Sequence, residues 1–252
     1  MEKILKNPNL PSKLVKKVII SENNPETEKA LNKLGIETVK TVYQTNVQEG
    51  NLKHSDLHFC QLDSETVILS NSQSKIGDMI KNNAFCDNVI IEKKTIRNSY
   101  PDDVLLNCVF FGSYVIYNPQ TVSKHISDYI KHSNLEKIEV SQGYTKCSLS
   151  IVADNAILTD DLVISKKVIE RGIDCLLLEK GAVKLKGYDY GFIGGATGKI
   201  SNDMLAFNGN YKSYKNFIDI EKFLQKHGVK PVILKDGELE DIGSIIPFTE
   251  MY

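Results

Sequence analysis

The sequence predicts an α/β fold: a closed ring of about five ββαβ-like units forming one domain over residues 1–252, with an N-terminal strand completing the last unit. Three observations predict it. Short apolar strands that close on a small polar or turn residue recur at "KVIISENN", "TVILSNS", "YVIYNPQ", "NAILTDD" and "MLAFNGN". Aligned on Ile19, Ile68, Ile116, Ile157 and Leu205, they fall about 40 to 50 residues apart, the range of supersecondary repeats. Finally, the chain opens on an outgoing strand at Val18–Ser21 and ends on an incoming one, so pairing the two would seal the ring and remove exposed sheet edges.

Each unit reads the same way. After the outgoing strand comes an amphipathic helix, in "PETEKALNKLG", "KIGDMIKNNAF", "VSKHISDYIKH", "VISKKVIERGI" and "YKNFIDIEKFLQKHGV". Apolar residues there recur at three and four, as in Val163, Ile164, Val168 and Ile169 or Ile218, Phe223 and Leu224. Pro25 near a start, and Gly35, Gly172 and Gly228 near three ends, fit the terminal preferences of helices. A second strand follows, in "ETVKTVY", "NVIIEKK", "EKIEVSQ", "CLLLEKG" and "PVILKDG". A variable loop then leads into the incoming strands "SDLHFCQL", "DDVLLNCVFF", "TKCSLSIVA", "YGFIGGATG" and "DIGSIIPFTE". Read as extended chain, the first of these puts Asp56, His58 and Cys60 on one face by period-two alternation, with Leu57 and Phe59 on the other.

A net charge of −1, with 41% apolar and 25% charged residues, gives no electrostatic case for nucleic acid or an anionic membrane. No segment has the unbroken apolar length of a membrane span, and the N-terminus lacks that of a signal peptide, so a cytoplasmic protein is expected. Five scattered cysteines without a CxxC pair argue against a disulfide framework or structural zinc. Cys108 and Cys175 lie in apolar runs and read as small buried hydrophobes. His54, His125, His132 and His227 fall on loops or polar helix faces without metal-ligand spacing and read as surface residues; no metal or cofactor is expected.

A ring of such units resembles the α/β propeller of the pentein, or guanidino-group modifying enzyme, superfamily. That superfamily includes arginine and agmatine deiminases, dimethylarginine hydrolases, amidinotransferases and a non-catalytic ribosome anti-association factor. The strings "GYTKCSLSIV", "GYDYGFIGGATGK" and "LEDIGSIIPF" resemble motifs of an uncharacterised bacterial family of that fold. The resemblance implies a site at the ring axis, with a last-unit cysteine attacking a guanidinium carbon, a middle-unit histidine as acid/base and carboxylates holding the cation. Here "DIGSIIPFTEMY" has no cysteine and "GYTKCSLSIV" no histidine, so a conventional arginine deiminase is not expected.

Overlaying the incoming strands sets Asp56 opposite Asp103, with Asp189 and Asp241 near their own strand starts, and His58 level with Cys147. The candidate catalytic set is therefore Cys147, His58, Asp56 and Asp103: a thiol nucleophile, its base and orienting carboxylates. Cys60 aligns with Asn107, deeper along the strand. Asn107, Lys146, Gly194, Gly195, Asp241 and Ser244 are the candidate substrate-binding residues. "GFIGGATGK" fails the phosphate-loop spacing, and its glycines read instead as close backbone approach. Tyr188 and Tyr190 are placed at a pocket mouth. The expected partner is a cationic small molecule at the ring axis, met either by an enzyme with an atypical thiol or by a binding protein that has lost catalysis.

Overall fold

The structure, a computed structural model, describes residues 1–42, 52–97 and 99–252. A short β1 (Glu2–Ile4) precedes β2 (Lys17–Ser21), α1 (Pro25–Lys33) and β3 (Glu37–Thr41). Next come β4 (Phe59–Gln61), β5 (Thr66–Leu69), α2 (Ser74–Asn82) and β6 (Asn88–Ile91), and then β7 (Val109–Phe111), β8 (Tyr114–Tyr117), α3 (Lys124–His132) and β9 (Glu136–Glu139). β10 (Leu149–Ala153), β11 (Ala156–Thr159), α4 (Leu162–Ile169) and β12 (Asp174–Leu177) precede β13 (Thr197–Ser201), β14 (Met204–Phe207), α5 (Phe217–Lys226) and β15 (Lys230–Ile233). β16 (Ile246–Met251) is last.

Four small sheets share one build, with orders β4-β5-β6, β7-β8-β9, β10-β11-β12 and β13-β14-β15. In each, the first two strands form an antiparallel hairpin and the third lies parallel to the second after a helical crossover. The remaining sheet, β1-β16-β2-β3, joins both ends of the chain. β16 runs antiparallel to β2, with Ile246 opposite Ile19, which is the pairing the terminal strands predict. β1, which the sequence reading lacks, covers the other edge of β16, with Ile4 opposite Thr249.

The helices form where expected, for local reasons. Asp161 accepts from the Val163 and Ile164 amides at 2.8 and 2.9 Å to cap α4, and Ser123 caps α3. Gly35, Gly172 and Gly228 take left-handed backbone just past α1, α4 and α5, where a Cβ would be strained. Each helix lays its apolar stripe over its own sheet and the preceding one. Ile126 and Ile130 of α3, for instance, share a cluster with Ile68 of β5 and Phe110 of β7. A buried side chain of this kind contributes about 1.5–3 kcal/mol. Among the described residues no helix is long and apolar enough to cross a membrane.

The incoming strands are much shorter than the sequence suggests. Residues 55–57 form a 3-10 turn, so Asp56, His58 and Cys60 do not share one strand face. The ladder with β5 begins at Phe59, preceded by one bond from Ser70 N to His58 O. Within residues 54–58 the chain makes turn bonds, Leu57 N to His54 O and His58 N to Ser55 O. Turns likewise precede β7, β10 and β13. These turns carry the polar residues of the site.

Candidate active site

The turns before β4, β7, β10, β13 and β16 are hydrogen-bonded to one another in a cycle. The Asn107 side chain donates to Asp56 O at 3.1 Å, and its Oδ1 accepts from the Lys146 amide at 2.7 Å. Gly195 N donates to Cys147 O, Ser244 N donates to Gly195 O, and Asp56 N donates to Gly243 O. Glycine is required at this close range. A Cβ on Gly194 would run into the backbone oxygens of Lys146, Cys147 and Leu149, and one on Gly195 into the Asp241 carboxylate. Gly243 and Ser244 are both left-handed (φ +76° and +73°), a conformation that costs a residue bearing a Cβ about 1–2 kcal/mol. It accompanies a Ser244 hydroxyl set on Asp56.

Beneath this cycle lies a buried polar cluster. Asp56 Oδ2 accepts from Ser244 Oγ at 2.7 Å and from Cys147 Sγ at 3.1 Å. Asn107 Nδ2 donates to Cys147 Sγ at 3.3 Å, and Lys146 Nζ donates to Ser244 Oγ at 3.2 Å. Ser244 therefore bridges a buried ammonium and a buried carboxylate. Asp56 Oδ1 is buried with no hydrogen-bond partner among the described residues. Burial holds Asp56 above the usual carboxylate range and Lys146 below the usual amine range, with Asp56 opposing the shift in Lys146. Burial, with the Asp56 and Asp241 carboxylates adding to it, pushes the Cys147 thiol well above its ordinary value.

Cys147 also forms part of the wall of a cavity of about 250 Å³, together with His54 and Asp241. His54 Nδ1 is 3.5 Å from Asp241 Oδ1. Asp241 accepts from the Phe192 and Gly243 amides at 3.0 and 2.9 Å, and burial raises it to about 6. Burial lowers His54, favouring its neutral form. A neutral imidazole, a carboxylate and a thiol thus converge on one small space. Its outer walls are Leu57, Leu185 and four aromatic rings, with Tyr144 and Phe192 stacked at 6.1 Å.

Several sequence-based assignments change. His58 is buried with Nε2 on Leu52 O at 2.6 Å and Nδ1 on Ser70 Oγ at 2.8 Å, and burial lowers it to about 4. It is His54, expected at the surface, that shares the cavity lining with Cys147, and the Gly243 turn packs directly on it. Asp103 does not line the cavity; it accepts a hydrogen bond from Tyr144 Oη and so fixes that ring. Gly194, Gly195, Asn107, Lys146 and Ser244 lie behind the cavity wall, where Lys146 borders narrow crevices beside Asn9 and Pro247. Tyr188 and Tyr190 do line the cavity, and Asp189 lies exposed at its rim. Cys60 and Cys108 lie together, Sγ to Sγ 3.7 Å, away from it. Among the described residues no group of three or more His, Cys, Asp or Glu could hold a metal ion. The missed residue, His54, had one signal in the sequence: it stands two residues before Asp56.

The model of a family of unknown function, DUF6873, matches residues 19–246. No curated protein matches the chain. Among solved structures, SxtG, an amidinotransferase from Microseira wollei, is similar over 98% of this chain and 96% of that one, with TM-score 0.57 and 12% identity. The agmatine deiminase of C. jejuni is similar over 93% and 90%, with TM-score 0.57 and 12% identity. The inosamine-phosphate amidinotransferase StrB1 of Streptomyces griseus is similar over 92% of both chains, with TM-score 0.54 and 10% identity. Identities this low speak to fold alone, and the fold is the pentein fold that the sequence resembles.

Proposed function

We propose, from the premise that the chain belongs to the family of unknown function DUF6873, that its five sheets form a closed five-bladed propeller and that the cavity is the active site of a guanidino- or amidino-acting enzyme. The cycle of hydrogen bonds joining the five turns supports the closed ring. The observation that carries the enzymatic reading is the Cys147 thiol, held on Asp56 at 3.1 Å and open to a space shared with His54 and Asp241.

The chemistry follows from charge. A planar cation entering the cavity would sit against Asp241, and its positive charge would offset the two carboxylates, Asp56 and Asp241, that help keep Cys147 protonated. As the thiol adds to the central carbon, its proton passes to Asp56 and then to the departing amine, leaving a thiouronium on Cys147. In hydrolysis, water adds to that carbon and His54, oriented by Asp241, takes its proton; the C–S bond breaks to give a urea and the free thiol. An amine acceptor in place of water would make the enzyme an amidinotransferase. Asn107, Lys146 and Ser244 hold Asp56 and Cys147 in register from behind.

One observation favours a second reading, a binding protein without turnover: acidic groups help hold the thiol protonated, and no lysine or arginine lines the cavity among the described residues. Treatment with 2-chloroacetamidine and mapping of the alkylated peptides separates the two. Preferential labelling of Cys147 over the other four cysteines supports the enzyme; labelling without preference for Cys147 supports the binder.

A further inference from the structure

We infer that the ligand of this cavity is a guanidine or amidine with a flat apolar tail and no carboxylate or phosphate. The inference rests on the guanidino reading for the head group; its own content concerns the rest of the molecule.

The walls carry the argument. Tyr144 and Phe192 stack at 6.1 Å with their planes 25° apart, and Tyr190 meets Phe192 edge-on at 6.0 Å. Both wall rings are tied to buried carboxylates: Tyr144 Oη donates to Asp103, and the Phe192 amide donates to Asp241, the same residue that faces His54. The slot is therefore set rigidly relative to the polar end, and Leu57 and Leu185 complete its apolar surface. Aromatic rings offer a planar group favourable stacking and a cation a negative face.

An anionic tail meets no formal cation in the lining. No lysine or arginine lines the cavity among the described residues, and residues 43–51 and Asn98 contain neither type. Two lysines near the wall segment are already engaged. Lys184 pairs with Glu238, and Lys180 lies over the Tyr190 ring at 4.9 Å. Asp241 and Asp189 are the acidic groups of the lining, so a carboxylate would be desolvated against like charge. Size sets a further limit. At about 250 Å³ the cavity lies below the roughly 300–1,000 Å³ typical of drug-sized ligands, which suits a head group and a single ring.

Titration calorimetry of the full chain with benzylguanidine, benzylamine and arginine tests this. Benzylguanidine is expected to bind about tenfold or more tighter than arginine, as a mismatch with a buried site would produce. Replacing the rim carboxylate, Asp189→Arg, should narrow that gap, raising the affinity for arginine relative to that for benzylguanidine. Arginine binding as tightly as benzylguanidine, or no binding of benzylguanidine, would overturn the inference. If benzylamine matched benzylguanidine while arginine stayed weak, the tail assignment would stand and the guanidino head would be the part that fails.

Discussion

The thiol of Cys147 lies 3.1 Å from Oδ2 of Asp56, a residue 91 positions earlier on the turn of a different sheet. The contact is buried on both sides, and the Asp56 carboxylate is one of the groups that keep the thiol protonated. On the proposed reaction Asp56 would have two opposite effects, holding the thiol protonated and then accepting its proton as it adds to the substrate.

Asp56→Asn should separate these effects. Without the carboxylate the Cys147 thiol ionises more readily, so its alkylation-rate profile should move to lower pH by roughly one unit or more, about 1.4 kcal/mol per unit. Turnover of a guanidino substrate should fall at the same time, because the proton acceptor is gone. An alkylation profile that stays where it was would show that Asp56 does not govern the thiol.

The two histidines should fail in different ways. His54→Asn removes the imidazole from the cavity and should lower turnover by about 100-fold or more, while folding stability changes by no more than about 1 kcal/mol. His58→Ala leaves the buried Ser70 hydroxyl and Leu52 carbonyl without their partner, and should cost roughly 2–4 kcal/mol in urea unfolding. Equal losses of stability in both variants would count against assigning catalysis to His54.

Asp160 provides a pH test of the fold. It is buried, its Oδ1 has no partner among the described residues, and burial raises it to about 7. The folded state therefore binds this proton more tightly than the unfolded chain, and stability is lost as pH rises from about 4 through 7. Asp160→Asn keeps an acceptor for the Ile193 amide and removes the charge. The variant should be more stable than the parent by about 2–4 kcal/mol at pH 8, with the gain vanishing below pH 4. A constant difference across that range in thermal or urea unfolding would rule out the titration of Asp160 as the cause.

Much of the fold was legible because its signals are local. The alternation of apolar strands with amphipathic helices, Gly35, Gly172 and Gly228 past helix ends, and the unpaired terminal strands all follow from backbone chemistry within a few residues. The bounds of the incoming strands were not legible. Residues 55–58 carry a plausible strand alternation, and only the tertiary structure shows that the ladder with β5 begins at Phe59 and that 55–57 turn instead.

By itself, the sequence determined the unit, its recurrence, and the pairing of β2 with β16. It also marked Cys147, Asp56 and Asp241 as the residues to watch. Only the tertiary structure decided that His54 and not His58 shares the cavity lining with the thiol, that Asp103 fixes a tyrosine ring, and that Lys146 and Ser244 lie outside that lining. The reason is geometric. In a tight turn, side-chain direction is set by what the neighbouring turns leave room for. Those neighbours, such as Gly243 against His54, come from the far end of the chain.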